Sequence, residues 1–262
     1  MPTANLALTA DEWMSRYLDP TLLLGDADFP PPHPAQTAAL RNWRNDHMLL
    51  WTRQGGKSTT GAALACHNLV FPMPGHRSTV VIVSRAERQS GELFRKTQEF
   101  YHALPYAPPL AKDSATVMET TDGGRVLAYP GNEETVRGLS AVTLALVDEA
   151  TLLPRELFDA VSPMLATTGG PIWSMATAKG CAGWFYEDWR STTNNDLVVK
   201  SKVTWRDLPH INRDHIEREK RRMPPWMFAQ EYECEFIDDG ETQLITPAMI
   251  DAARNPEVVS LW

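Results

Sequence analysis

Short apolar runs alternate with longer stretches of helical period along this chain. His47 to Trp51 ("HMLLW") is a brief apolar run with the pattern of a buried strand, and Lys57 to Val70 carries alanines and leucines at helical spacing. The alternation then recurs. Thr79 to Val83 ("TVVIV") is β-branched, Ala86 to Leu104 is amphipathic, and two alternating segments around Asp122-Gly123-Gly124 predict a hairpin. Leu144 to Val147 ("LALV") is a further buried strand, followed by a helix over Pro154 to Ala166 with a proline start. Pro171 to Thr177 and Leu197 to Trp205 supply two more strands. Upstream lie a short amphipathic piece, Asp11 to Leu18, an extended proline cluster ("FPPPHP", Phe29 to Pro34) and a helix from Ala35 to about Arg44. Strands alternating with helices predict an α/β fold: a mostly parallel sheet covered on both faces.

The character changes near Asp207. "NRDHIEREKRRMPPWMFAQEYECEF" is charged and helical, interrupted at Pro224-Pro225, and reads as a small helical lid over 207–237. The tail, 238–262, has little periodicity and reads as a linker, which leaves 1–206 as the core.

Composition narrows the class. A chain of 262 residues, 43% apolar and 22% charged, is ordinary for a globular protein with one sizeable core. No run approaches the roughly 20 apolar residues that cross a bilayer, so no membrane partner is expected. The start, "MPTANLALTADEW", lacks the basic and apolar regions of a secretory signal. Cys66, Cys181 and Cys234 are widely separated and form no C-x-x-C pair, which fits a reduced compartment. A net charge of −8 argues against coating nucleic acid by charge alone, yet leaves room for a local basic channel or for contacts made after assembly. The seven histidines form no H-x-x-x-H or Cys/His set, so no zinc site is indicated.

Two constellations carry chemistry. "GGKS" (Gly55 to Ser58) sits between a strand and a helix, where loop N–H groups can cradle phosphate, a lysine can reach the β/γ-phosphates and a hydroxyl can ligate Mg²⁺. Taken alone, it is equally a serine-capped glycine turn, and the usual G-x-x-x-x-G-K-[ST] pattern wants glycine where this chain has Trp51. The second is Asp148-Glu149, directly after "LALV". Carboxylates at a strand's C-terminal end lie where ligands bind in open α/β sheets. Asp148 suits a Mg²⁺-bound water and Glu149 suits the attacking water; the pair could instead be acids opening the next helix. Together the two point to a nucleotide triphosphatase.

The chain resembles the ATPase domain of the large terminase subunit, the DNA-packaging motor of tailed bacteriophages. "TRQGGKS" matches that family's deviant P-loop, in which arginine precedes the glycines and the first glycine is dispensable. The likeness continues in "RGLSAVTLALVDEATLLP", "SMATAKGCAGWFYEDW" and "FAQEYECEF". It implies a P-loop NTPase fold of the ASCE type and ATP as ligand, with Arg53, Gln54, Gly55, Gly56, Lys57, Ser58 and Thr59 as its loop. Gln36 then corresponds to the adenine-contacting glutamine. Arg137 corresponds to an arginine that reaches a neighbouring subunit's nucleotide, or else forms a surface pair with Glu133 or Glu134. Thr177 corresponds to the residue coupling hydrolysis to movement, or is a satisfied strand-end threonine; Arg53 either holds phosphate or swings to Glu149. Arg218, Lys220, Arg221 and Arg222 either touch DNA or form a solvated helix face.

The resemblance carries further expectations. The partners are double-stranded DNA, a portal protein and a small terminase subunit, in a homo-oligomeric ring at the portal vertex in the host cytoplasm; the isolated domain could be monomeric. The family's metal-dependent nuclease domain would begin about where this chain ends, so DNA cleavage is not expected of it. The alternatives are a helicase-like translocase and a nucleotide-binding assembly module with little turnover.

Overall fold

A computed structural model describes residues 7–85, 87–130, 138–193 and 197–238. Three short helices lead in: α1 (Ala10–Leu18), α2 (Leu22–Asp26) and α3 (Pro34–Arg41). Then come β1 (Asp46–Trp51), α4 (Lys57–Val70), β2 (Thr79–Ser84) and α5 (Glu87–Ala103). Next are three strands, β3 (Leu110–Asp113), β4 (Val117–Thr120) and β5 (Arg125–Pro130), and after them β6 (Leu144–Asp148), α6 (Arg155–Asp159), β7 (Ile172–Ala176), α7 (Trp184–Arg190) and β8 (Val198–Val203). Two helices complete the described chain, α8 (Arg213–Arg222) and α9 (Pro225–Glu233).

The strands form one eight-stranded sheet in the order β3-β4-β5-β2-β6-β7-β1-β8. Pairings from β5 across to β8 are parallel, whereas the β3-β4-β5 extension is antiparallel. The fold is α/β as expected. Its central strands are apolar throughout because both faces are buried, and the side chains divide by alternation. Leu49, Trp51, Val80, Ile82, Leu144, Leu146, Trp173 and Met175 enter one core with α4 and α5. Met48, Leu50, Val81, Val83, Ala145, Val147 and Ala176 enter the other, beneath α6 and α7.

Several elements differ from the sequence expectation. The helix expected over Pro154 to Ala166 is split, α6 giving way to a 3-10 turn over Ser162–Leu165. Pro163 has no N–H to continue the ladder and disfavours a helical Ser162, so the chain changes pitch. Trp205 leaves the last strand for a 3-10 turn whose first residue comes directly after the Thr204 cap. Helix α2 and edge strand β3 are too short to show a period in the sequence. The proline break agrees with expectation: α8 ends before Pro224, and Pro225 occupies the first turn of α9, where its missing N–H is harmless. Ile216 of α8 and Phe228 of α9 pack with Trp205 in a small third cluster. Residues 239–262, expected to be a linker, lie outside the described residues. Among those described, no helix is long and apolar enough to cross a membrane.

Candidate nucleotide site

Parallel strands β1, β7 and β6 end at one edge of the sheet, so the turns leaving all three lie side by side. The register aligns Leu50 with Ala176 and Asp148 with Met175. With neighbouring strands about 4.8 Å apart, the Gly55-Gly56 turn and the Asp148-Glu149 pair are two strand spacings from each other, with the β7 tip between them. Lys57 makes the join. Its ammonium donates to Trp51 O at 2.6 Å, Thr52 O at 3.1 Å and Thr177 Oγ1 at 3.1 Å. Burial lowers the Lys57 pKa, opposed by nearby Cys234, Asp148 and Glu149.

The glycines have separate physical reasons. A Cβ at Gly55 would lie 2.8 Å from Thr52 O, and Gly56 has φ +82° with Gln36 Nε2 2.7 Å from any added Cβ. Position 51 has no such demand. The loop uses only a backbone carbonyl there, and the indole turns away into the core, fully buried, with Nε1 donating to Ser201 Oγ at 3.0 Å. The turn therefore keeps its shape without a glycine at position 51.

The acidic side is partly strained. Glu149 adopts φ +53°, a left-handed conformation uncommon outside glycine, immediately after the β6 strand. The Asp148 carboxyl accepts the Glu149 N–H at 3.0 Å. Burial, reinforced by the Glu149 charge, pushes the Asp148 pKa up to about 6. Thr151, two residues beyond Glu149, donates to Thr177 O at 3.1 Å, so the turn after β6 is fastened to the tip of β7.

Other expected site residues are placed variously. Gln54 through Thr59 and Gln36 line one cavity of about 820 Å³, together with Phe29, Pro31 and Lys96. That volume lies within the range of small-molecule sites. The Gln36 amide is engaged with protein: Oε1 accepts from His33 N at 3.1 Å, and Nε2 donates to Thr60 Oγ1 at 3.1 Å. Lys96 Nζ comes within 3.5 Å of Thr59 Oγ1. Arg53 forms an ion pair with Glu231 of α9 rather than with Glu149. Thr52 Oγ1 also donates to Glu231 O at 2.8 Å, so α9 is docked against the loop. Arg137, with Glu133 and Glu134, lies outside the described residues. In α8, Arg218 and Arg221 are exposed, Arg222 pairs with Glu219, and Lys220 lies 5.8 Å from the Phe228 ring centroid.

The donor set suits Mg²⁺. Among the described residues, no three His, Cys, Asp or Glu side chains form a metal cluster. Mg²⁺ commonly takes one or two carboxylates and completes its shell with phosphate and water oxygens. Ser58, in the first turn of α4, and Asp148, at the end of β6, supply hard oxygens on the same sheet edge.

His33, His210, Thr151 and Glu231 also belong to the site, and sequence reasoning missed them. No spacing rule marks them, because each reaches the loop or the β7 tip through tertiary packing.

Residues 48–246 match the model of the family described as terminase large subunit, T4likevirus-type, N-terminal. Among solved structures, the chain is similar to the ATPase domain of a Thermus phage large terminase, at 19% identity and TM-score 0.66, over 84% of this chain and 100% of that one. It is similar to the large terminase of a thermophilic bacteriophage in complex with ADP, at 12% identity and TM-score 0.62, over 79% of this chain and 54% of that one. The HK97 bacteriophage large terminase matches at 14% identity and TM-score 0.66, over 87% of this chain and 55% of that one. The chain thus spans about half the length of the latter two. A search of the curated proteins finds no match.

The geometry yields two expected outcomes. Trp51→Gly restores the usual loop pattern but should cost at least about 3–5 kcal/mol in urea unfolding, because a fully buried indole is lost; an unchanged midpoint would contradict the assignment. For Asp148, the folded state holds the proton more tightly than the unfolded chain, so stability falls as pH rises from about 4 through 6. Asp148→Asn should therefore raise the metal-free melting temperature at pH 7 by an amount worth on the order of 1 kcal/mol, roughly 2–4 °C, with the gain vanishing near pH 4.

Proposed function

The chain belongs to the terminase large-subunit N-terminal family, and from that premise we propose that it is an ATP-hydrolysing motor domain that drives double-stranded DNA into a viral procapsid. The observation that carries this reading is the convergence of Lys57, Thr177, Asp148 and Glu149 at one sheet edge, beside a nucleotide-sized cavity.

Each residue's role derives from its place. The loop's N–H groups and the N-terminus of α4 receive the phosphates, with Lys57 beside them. Two of the three Lys57 donors are held by the carbonyls of Trp51 and Thr52, and the third by the Thr177 hydroxyl. A γ-phosphate oxygen takes over that third donor, which frees Thr177 to change partner. Ser58 and Asp148 would hold Mg²⁺, which neutralises charge developing on the β/γ-phosphate oxygens. Glu149, held at its left-handed position, orients and deprotonates the attacking water.

Arg53 is 70% exposed in its pair with Glu231, and such pairs contribute only about 0–1 kcal/mol. A triphosphate can therefore draw Arg53 away from α9, and the loop then signals to that helix whether nucleotide is bound. In the assembled motor the domain works as a ring with a portal protein and a small terminase subunit, in the host cell.

Phosphate release by the wild type and by Glu149→Gln tests this. Turnover should fall by about 10²-fold or more in the variant while ATP binding persists. Equal, negligible rates in both proteins would favour a nucleotide-binding assembly module instead.

A further inference from the structure

We propose that His33 and His210 are positioning residues that hold the phosphate loop in its anion-binding shape by capping the carbonyls of Gly55 and Gln54. The proposal rests on reading this cavity as a nucleotide site. A loop that points its N–H groups inward at phosphate turns its carbonyls outward, and each of these needs a donor if the peptide is not to rotate. Here three successive carbonyls are each met by a side chain from outside the loop. Gln54 O accepts from His210 Nε2 at 3.0 Å, and Gly55 O accepts from His33 Nε2 at 3.0 Å. Gly56 O accepts from Gln36 Nε2 at 3.4 Å and from Thr60 Oγ1 at 2.9 Å.

Carbonyl oxygens only accept, so both imidazoles carry a proton on Nε2. The peptides concerned need such support. Gln54 sits at φ +60° and Gly56 at φ +82°, and for Gln54 the left-handed region is intrinsically disfavoured. His33 is well placed to supply it. It is 8% exposed, its backbone N–H is held by Gln36 Oε1, and its ring centroid lies 5.4 Å from that of Trp51. His210 comes from the segment just before α8 and is exposed, so its bond competes with water and contributes less. The two rings are 6.5 Å apart and both line the cavity, which raises a rival role, contact with the nucleotide base.

Calorimetric titration of the 262-residue chain with the Mg²⁺ complexes of a non-hydrolysable ATP analogue and of inorganic tripolyphosphate separates the two. His33→Ala should weaken both ligands about tenfold and His210→Ala about threefold, as expected for losing a buried and an exposed donor. His33→Gln and His210→Gln keep an amide donor at similar reach and should restore most of the affinity. A purely structural role would lower the melting temperature without this rescue of affinity. Should His33→Ala fail to fold, the His210 pair and His33→Gln carry the test. Wild-type affinity in the alanine variants overturns the brace, as does a loss confined to the ATP analogue, which would mean that the histidines read the base. A wild type that binds neither ligand overturns the nucleotide reading itself and the brace with it.

Discussion

The structure depends on one cation shared by three acceptors from two strand ends. The Lys57 ammonium binds Trp51 O and Thr52 O at the end of β1, and the Thr177 hydroxyl just past β7. A half-buried ammonium without such partners would be costly, so the contacts fix where the glycine turn stands relative to β7. Because β6 is the next strand along, the same contacts set the distance from the loop to Asp148 and Glu149. The burial that lowers the Lys57 pKa also raises that of Asp148. One sheet edge thus holds a fully engaged, partly buried cation and a reluctant carboxylate, the two groups that the proposed magnesium-bound triphosphate would meet.

Around this centre the chain places strain where the chemistry would occur. Gln54 and Glu149 both adopt left-handed backbone, one in the phosphate loop and one beyond the acidic strand. Such conformations persist only where neighbours over-determine them. For Gln54 the neighbours are the His210 contact and the glycines; for Glu149 they are the Asp148 carboxyl and the Thr151 hydroxyl two residues on. Helix α9 reaches the same edge through Glu231, so the segment after the core is wired to the loop rather than merely covering it.

Much of this was legible in the sequence, for reasons that can be named. The apolar runs "HMLLW", "TVVIV" and "LALV" are uniform because each is buried on both faces, and that uniformity marks a parallel sheet. "GGKS" marks the loop because close approach at Gly55 and positive φ at Gly56 admit little but glycine, and "DE" marks the acidic pair because two acids directly follow an apolar strand. The sequence pattern makes Trp51 a puzzle, whereas the structure resolves it: Lys57 takes only a backbone carbonyl from that position, and the indole serves the core instead. The features hidden from sequence are tertiary. That Arg53 pairs with Glu231, or that His33 and His210 meet adjacent carbonyls, depends on how remote segments pack, and no periodicity encodes it. The broken helix after Pro154 escapes a reading by period because Pro163 interrupts an otherwise helical pattern.

The most direct test is a crystal structure of this chain with Mg²⁺ and a non-hydrolysable ATP analogue. The triphosphate should lie over the N-terminus of α4, with Lys57 Nζ transferred from Thr177 to a phosphate oxygen. The cation should sit between Ser58 and Asp148, and Glu149 should face the terminal phosphate. A nucleotide seated elsewhere, or one that leaves Asp148 and Glu149 on the far side of the sheet from its phosphates, would contradict the shared-cation centre.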